Sequence, residues 1–386
     1  MNIFTEKHLY FANLLASRFI SASKRAEGIS PETILCVKWD EIGDMASTLH
    51  VFSLLRQRYP EAEITVLCKP FVANMLENHP GVNHVITSVE EWKKQYQLVV
   101  ELRGTWQTLW KSLHWKTMPN YRVDRGWVRF VQRGKQPHET VTNYRIIKPL
   151  LSGDERWDRK LYPSVAAEVN AMEWIRKCRR EAEEYDLLHM GDIKGIRMAM
   201  VHVGARKVLR QWPLTNFAQL AQLLWENQRI WPIWVGVGDE KASVLEVQQL
   251  AGLGSAWIGG ETVPEDASLL SFYAFMQQCD MFIGNESGPL QLADVAGIPL
   301  LGIFGPGVEN VFYPLDAKVV KLDGEGKEII DSVLDDAYLN AKNNKRVVHC
   351  YMDCNPCDQV HCVNANRPCI QRISVEGVYG TLLGIL

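Results

Sequence analysis

Three segments of this 386-residue chain gather residue types that can do chemistry, and each follows an apolar run. In "KWDEIGDMAST", Lys38 to Thr48, Gly43 lets the chain turn tightly at a strand end and Asp44 follows at the start of a helix. A carboxylate there is either a helix cap or a group placed to take a proton from a hydroxyl, and Asp40 and Glu41 are near enough in the chain to compete for that role. In "VHVGARKVLRQWPLTNF", Val201 to Phe217, a strand runs into Gly204, and Arg206, Lys207 and Arg210 precede a Trp-Pro pair and a helix. Three cations after a strand suit a phosphate or a solvated loop; the glycine and the strand-end position favour the phosphate. In "FIGNESGPLQLADVAGIPLLGIFGP", Phe282 to Pro306, the turn "NESGP" joins a strand to a helix. The Ser287 and Gly288 N–H groups would point from a helix N-terminus at an anion, although a cap with Pro289 in the first turn explains the same composition. The stretch has neither the Gly-Lys-Ser/Thr ending of a P-loop nor a GxGxxG pattern.

The elements that must position these loops are legible in the apolar periodicity. "TILCVKWDEIGDMASTLHVFSLLRQRYPEAEITVLCK" reads as strand, turn, amphipathic helix and strand, with "HVITSV" and "YQLVVEL" as further short strands. The second half repeats the scheme: "IRMAMVHVGA" as a strand, "TNFAQLAQLLWENQ" as a helix capped by Thr215, "WPIWVGVG" as a strand, "DASLLSFYAFMQQC" as a helix and "DMFIGNE" as a strand. The charged helix and Gly-containing loop "EWIRKCRREAEEYDLLHMGDIKGIR" read as the linker. This predicts an α/β protein with two Rossmann-like doubly wound domains, their strand carboxyl ends facing a central cleft. The expected division is a helical extension over 1–30, domains over 31–185 and 186–345, and a Cys-rich segment with a C-terminal helix over 346–386.

Composition narrows the function. Lys and Arg number 42 against 45 Asp and Glu, a net charge of -3, which argues against a nucleic-acid binder by overall charge. No apolar run approaches the ~18 residues of a spanning helix, and no cleavable leader is evident, so a soluble, cytosolic protein is expected. The opening "MNIFTEKHLYFANLLASRFISASKR" sets Phe4, Phe11, Leu15 and Phe19 on one helical stripe beside Lys7, Arg18 and Arg25. A helix packed on the body or on a partner subunit is the plainer reading; a membrane-surface helix is the other. Residues 101–150 hold ten Lys or Arg, among them Arg103, Arg122, Arg125, Arg129 and Arg133, against three acids, with Trp106, Trp110, Trp115 and Trp127 interleaved. A solvated face would look this way, yet such a bias in a net-acidic chain suggests a partner bearing phosphates or carboxylates.

Cysteine usage is uneven. Cys36, Cys68, Cys178 and Cys279 are scattered and read as core residues, whereas "HCYMDCNPCDQVHCVNANRPCI" crowds Cys350, Cys354, Cys357, Cys362 and Cys369 with His349 and His361. In a reducing compartment, Cys354, Cys357, Cys362 and Cys369 could hold a structural zinc or iron, pack as thiols, or do redox chemistry. Their separation in sequence from the three loops argues for a structural role.

With these loops in hand, the chain resembles the ADP-heptose:lipopolysaccharide heptosyltransferase family of glycosyltransferases from about Thr33 onward. The family's "IGD" turn is similar to Ile42-Gly43-Asp44, its Lys/Arg-x-Trp-Pro element to Arg210-Gln211-Trp212-Pro213, its "GNDSGPMHLAAALGxPxxxxFGP" signature to "GNESGPLQLADVAGIPLLGIFGP", and its CxPC segment recurs near the end. The resemblance implies a GT-B fold, a first domain for the acceptor, a second for the nucleotide sugar, and inverting transfer of a heptose from ADP-heptose. It places Asp44 as general base and sets Arg210 with the Ser287 and Gly288 amides on the departing diphosphate. It also puts Glu240 at the ribose, and requires no catalytic metal. Glu286 stands where the family usually has Asp, and Gln291 where His is common, so donor contacts should differ there. The implied acceptor is a lipopolysaccharide core or related anionic envelope glycan met by the basic, Trp-rich block at a membrane face. Rival readings are a protein O-heptosyltransferase of the autotransporter type, whose members carry iron on a Cys cluster, and a non-catalytic nucleotide-binding scaffold. Homo-oligomerisation is left open.

Overall fold

The computed structural model describes residues 3–21, 29–131, 137–189, 195–259, 268–307, 311–322, 328–329, 344–355, 357, 361–364, 366 and 368–386. Arg25 and Arg133, and the side chains of Phe4 and Trp127, lie outside them. The chain forms two compact units, Met1–Tyr162 and Pro163–Leu386.

In the first unit the order is α1 (Ile3–Ser21), β1 (Thr33–Lys38), α2 (Ile42–Ala46), α3 (Leu49–Arg58), β2 (Glu63–Cys68), α4 (Pro70–Ala73), β3 (His84–Ile86), β4 (Leu98–Arg103), α5 (Trp106–Leu113), β5 (Tyr121–Asp124), α6 (Arg125–Val131) and α7 (Glu139–Ile147). The strands pair in the order β3-β2-β1-β4-β5, all parallel. Runs such as "TILCVK" and "EITVLC" are buried on both faces, as parallel strands between helical layers must be. Because β1 and β4 are neighbours although β2 and β3 intervene in the chain, the sheet changes winding direction between them. Such a switch point leaves a crevice at the strand carboxyl ends.

The opening helix belongs to this unit rather than forming an extension. It packs on α6, β5 and α5, and a Cβ on Gly126 would lie 2.2 Å from the Tyr10 carbonyl, so the two helix backbones approach closely at a glycine. The packed face, however, is not the Phe stripe. Leu9, Asn13, Ala16 and Ser17 are buried, while Phe11, Leu15 and Phe19 are exposed.

The second unit runs α8 (Val165–His189), β6 (Arg197–His202), α9 (Leu214–Gln228), β7 (Ile230–Val237), α10 (Lys241–Ala251), β8 (Ser255–Gly259), α11 (Leu269–Gln277), β9 (Met281–Asn285), α12 (Gly288–Ala296), β10 (Leu300–Phe304), β11 (Lys318–Leu322), β12 (Glu328–Ile329), β13 (Lys345–Cys350), α13 (Cys369–Arg372) and α14 (Val375–Leu383). Its strand order is β12-β11-β13-β10-β9-β6-β7-β8, parallel except for β12. Here the winding reverses between β6 and β9, so the loops after those two strands are neighbours.

Two boundaries move. The division falls after Tyr162 rather than 185, because α8, expected as linker, packs on α11 and β8 of the second unit. The expected cut before residue 346 would sever β13, which lies between β10 and β11. Thr215 is also not a cap: α9 begins at Leu214 with Pro213 in the N-cap position. No helix of the described residues is long and apolar enough to cross a membrane.

Candidate functional site

At the switch point of the first sheet, β1 ends at Lys38 and β4 at Arg103. Two residues past β1 stands Asp40, and Asp44 follows in the first turn of α2. Asp44 is inside the helix rather than at its N-cap, Glu41 holds that position without a side-chain hydrogen bond, and the capping explanation for Asp44 falls away. Arg103 Nη1 lies 3.2 Å from Asp40 Oδ2 and 3.9 Å from Asp44 Oδ1, and its Nη2 lies 3.3 Å from Glu6 Oε1 of α1. Beneath them, fully buried Lys38 sits 3.4 Å from Asp40 Oδ2 and 3.3 Å from Glu139 Oε1. Glu139 in turn is gripped by both Arg125 guanidinium nitrogens, at 2.6 and 2.7 Å.

This lattice separates the two aspartates electrostatically. Burial opposes ionisation of Asp40, but Lys38 and Arg103 together outweigh it and hold its carboxyl below the ordinary range. For Asp44, burial and then the Asp40 charge push the carboxyl up to about 7, against the pull of Lys38 and Arg103. Asp44 is 14% exposed, and its Oδ1 has no hydrogen-bond partner among the described residues. A reachable carboxylate balanced near neutrality is what proton abstraction from a hydroxyl calls for. Neither Lys38 nor Glu139 was singled out from sequence; a charged residue ending a buried strand is the one signal that marks Lys38.

At the second switch point, the loop after β6 meets the turn after β9. Asn285, at the end of β9 and fully buried, ties them together: its Oδ1 accepts the Trp212 backbone N–H at 3.0 Å and its Nδ2 donates to the Val203 carbonyl at 2.7 Å. Arg210 Nη1 lies 3.2 Å from Glu286 Oε1. Burial raises the Glu286 carboxyl to about 7, with Arg210 and Lys207 pulling the other way. Gly307 is needed beside it, since a Cβ there would stand 2.5 Å from Glu286 Oε2. Ser287 occupies the N-cap position of α12 but makes no capping bond; its Oγ pairs instead with His202 Nδ1 at 3.2 Å. The first-turn amides, except that of Pro289, are therefore uncapped by a side chain and carry the positive end of the helix dipole.

His202, at the end of β6, also reaches Glu240 at 3.2 Å through Nε2. Burial disfavours the Glu240 charge, yet the His202 contact and the Val237 amide keep its carboxyl below the ordinary range. Gly204 makes room for that carboxylate, as a Cβ there would lie 1.9 Å from Oε1. The structure thus gathers Gly204, Arg210, Glu240, Glu286, Ser287 and Gly288 around one switch point, with Arg206 exposed and Lys207 half-buried on the same loop. His202 was missed from sequence, being one residue in a strand end otherwise read as apolar. Gln291 is buried one turn along, its Nε2 donating to the Phe312 carbonyl at 2.6 Å. Amides, guanidinium and ammonium groups beside an ionised Glu240 suit a ligand with phosphates at one end and hydroxyls at the other.

The family model for glycosyltransferase family 9 (heptosyltransferase) matches residues 171–333, which span this second switch point. Over this region the chain is similar to the heptosyltransferases of glycosyltransferase family 9. It is similar to lipopolysaccharide heptosyltransferase 2 of Salmonella typhimurium, 24% identical over 325 residues that cover 75% of this chain and 88% of the relative. Among solved structures, the family 9 glycosyl transferase of Veillonella parvula matches with a TM-score of 0.66 at 16% identity, over 94% of this chain and 98% of the other. The ADP-heptose lps heptosyltransferase II of E. coli matches at 0.57 and 16%, over 91% and 99%. Both units have the parallel-sheet architecture of the GT-B class.

Among its described residues, the basic block is neither a solvated face throughout nor a set of cations all turned to a partner. Arg122 is buried, with Glu101 Oε2 at 3.1 Å, Ser17 Oγ at 2.6 Å and a further bond to Asn13 Oδ1. Arg125 is buried on Glu139. Neither guanidinium is presented to an acceptor, because both neutralise carboxylates enclosed by helices. Arg103, with its side chain 30% exposed, and Arg129, at 13%, reach the surface in part. The interleaved Trp106, Trp110 and Trp115 are exposed.

The Cys-rich segment packs against the cationic loop despite its distance in sequence. Cys354, Cys357, Cys362 and Cys369 line a cavity of about 90 Å³ together with Leu209 and Pro306, and the Trp212 indole N–H donates to the Ile373 carbonyl at 2.8 Å. All nine cysteines are free thiols. Among the described residues, no three Cys, His, Asp or Glu side chains are grouped to hold a metal ion, so the expected metal site is not assembled there. Cys36, Cys68, Cys178 and Cys279 are core residues as expected.

Proposed function

We propose that this glycosyltransferase moves a heptose from ADP-heptose to a hydroxyl of lipopolysaccharide core or a related envelope glycan, working in the cytoplasm. An acceptor hydroxyl gives its proton to an Asp44 carboxylate oxygen as its own oxygen bonds to the anomeric carbon. The bond from that carbon to the diphosphate breaks, its electron pair leaves with ADP, and the configuration inverts. Arg210, Lys207 and the first-turn amides of α12 meet the charge that grows on the diphosphate. Glu240, kept ionised by His202, accepts from the ribose hydroxyls. Glu286 sets Arg210, and Gln291 acts on the donor through the Phe312 backbone. On the acceptor side, Arg103 and Arg129 contribute, while Arg122 and Arg125 support the scaffold. No step needs a metal.

The observation that carries this reading is the side-chain-uncapped α12 N-terminus, with Ser287 turned to His202 and Arg210 held on the adjoining loop. Nothing among the described residues favours the protein-acceptor or scaffold alternatives over it. A thermal-shift series with ADP, UDP, GDP and their sugars tests the donor. ADP and ADP-heptose should raise the midpoint and Arg210→Ala should abolish the shift; silence across the series would refute the reading. Heptose transfer to truncated lipopolysaccharide, followed by mass spectrometry, tests the acceptor.

A further inference from the structure

We propose that Glu6 and Tyr10 of α1 are positioning residues that tether Arg103 on Asp40 and short of Asp44, so that Asp44 stays uncommitted to a cation and ready to take a proton. The inference rests on the reading of Asp44 as general base. The Arg103 guanidinium is shared between two sides. Its Nη1 faces the aspartates, 3.2 Å from Asp40 Oδ2 and 3.9 Å from Asp44 Oδ1, while its Nη2 lies 3.3 Å from Glu6 Oε1. The guanidinium fork is planar and rigid, so holding one nitrogen sets the direction of the other. The atom it falls short of is the Asp44 oxygen that has no hydrogen-bond partner among the described residues. A separation of 3.9 Å is too long for a hydrogen bond. Were the arginine free to close it, a cation would sit on the carboxylate that must accept the proton, making it a weaker base.

Glu6 is itself held in place. Tyr10 stands one turn further along the same face of α1, and its hydroxyl donates to Glu6 Oε1 at 2.5 Å. Burial raises the Tyr10 phenol above its ordinary range, against the pull of Arg125 and Arg103, so it remains a donor through neutral pH. The Arg125 guanidinium donates in turn to the Tyr10 oxygen, and the same guanidinium grips Glu139 beneath Lys38. The α1 pair therefore closes a circuit that starts and ends at Arg103. Gly126, next to Arg125, lets the helix backbone come up against the Tyr10 carbonyl and fixes the registration. As a fastening for α1 the bridge would add little. The Glu6 and Arg103 side chains are 29% and 30% exposed, and an ion pair so placed is worth little stability. Leu9 and Ala16 on Leu109, with Asn13 and Ser17 on Arg122, already secure the helix. The charged groups that face Asp44 are Lys38 of β1, Asp40 just beyond it, Arg103 of β4 and Glu139 of α7. Lys38, Asp40 and Glu139 are enclosed, so Arg103 is the member that needs a restraint from outside the sheet.

The Asp44 titration can be read directly by carboxyl-carbon NMR of the full chain with isotopically labelled aspartate, its signal assigned by absence from Asp44→Asn. Glu6→Ala should move the midpoint down by about one pH unit, because the released Arg103 closes on Asp44. Tyr10→Phe should move it the same way by less, since Glu6 keeps its charge and loses the bond that fixes it; this variant also covers a folding failure of Glu6→Ala. In an Arg103→Gln background, removing Glu6 should change the midpoint little, which is the mark of action through the arginine. In heptose transfer, the rising limb of kcat/KM for Glu6→Ala should follow the NMR midpoint downward and its plateau should fall about tenfold, with the ADP response and melting midpoint of the wild type. No shift, an upward shift, or a shift of equal size with Arg103→Gln present would overturn the tether. A downward shift in Glu6→Ala alongside wild-type turnover in Asp44→Asn would keep the tether and refute the general-base reading instead.

Discussion

The two switch points solve opposite electrostatic problems with the same sheet topology. In the first unit, strand ends deliver carboxylates: cations packed behind them hold Asp40 low, while burial and the Asp40 charge push Asp44 up to about 7. In the second, strand ends deliver backbone amides and cations, with an ionised Glu240 beside them. A parallel sheet supplies the crevice in both cases, and the loop residues alone decide whether it accepts protons or anions. The inner layers differ as well. Beneath Asp44 lies a closed lattice of Lys38, Glu139 and Arg125, whereas the loop after β6 is held by neutral hydrogen bonds through Asn285 and Trp212.

That contrast can be broken most sharply at Asp44. Asp44→Asn should lower kcat/KM for transfer by about 10²–10⁴-fold while leaving ADP binding intact, because only the proton acceptor is lost; wild-type turnover in this variant would remove Asp44 from the chemistry. Arg122→Ala should cost about 3–5 kcal/mol of stability in urea unfolding, since it strands Glu101 without its buried partner. On the donor side, Arg210→Ala should reduce kcat by about 10²–10³-fold and weaken ADP. Asn285→Ala should lower stability by about 1–3 kcal/mol by leaving the Trp212 amide and Val203 carbonyl unsatisfied, and should loosen ADP with it.

The smallest effect is the most diagnostic. Asp44 accepts a proton only when ionised, so kcat/KM should rise with pH through about 7 and level off above it. Removing the neighbouring charge in Asp40→Asn should move that limb to lower pH, and removing the cation in Arg103→Gln should move it higher. Because the pair titrates together, the limb belongs to both aspartates, and opposite shifts in the two variants are the mark of the arrangement. Shifts in one direction would show that the tuning lies elsewhere.

Much of this was legible in the chain. Apolar runs located β1, β2, β6, β7 and β9, and the "IGD" and "NESGP" turns stood at strand ends where the structure has them. The strands β5, β8, β11, β12 and β13 were not read; they run from two to six residues, and so short a run shows little periodicity of its own. His202, Lys38 and Glu139 were passed over because each acquires its role from partners far away in sequence, such as Glu240, Glu139 and Arg125. The Phe stripe of α1 was legible as a stripe but not in its direction.

The sequence by itself determined the local elements, the turn chemistry and the residue types at the strand ends, because periodicity and glycine placement act over a few residues. Only the tertiary structure decided which charges are enclosed and which face water. Arg122 and Arg125 look like Arg103 in the chain, but two are sealed by carboxylates from other elements and one remains in part at the surface. The apolar face of α1 points outward because the polar one meets a buried guanidinium. Burial and pairing depend on contacts across a hundred residues, and these set both the pKa of Asp44 and the surfaces left to meet a partner.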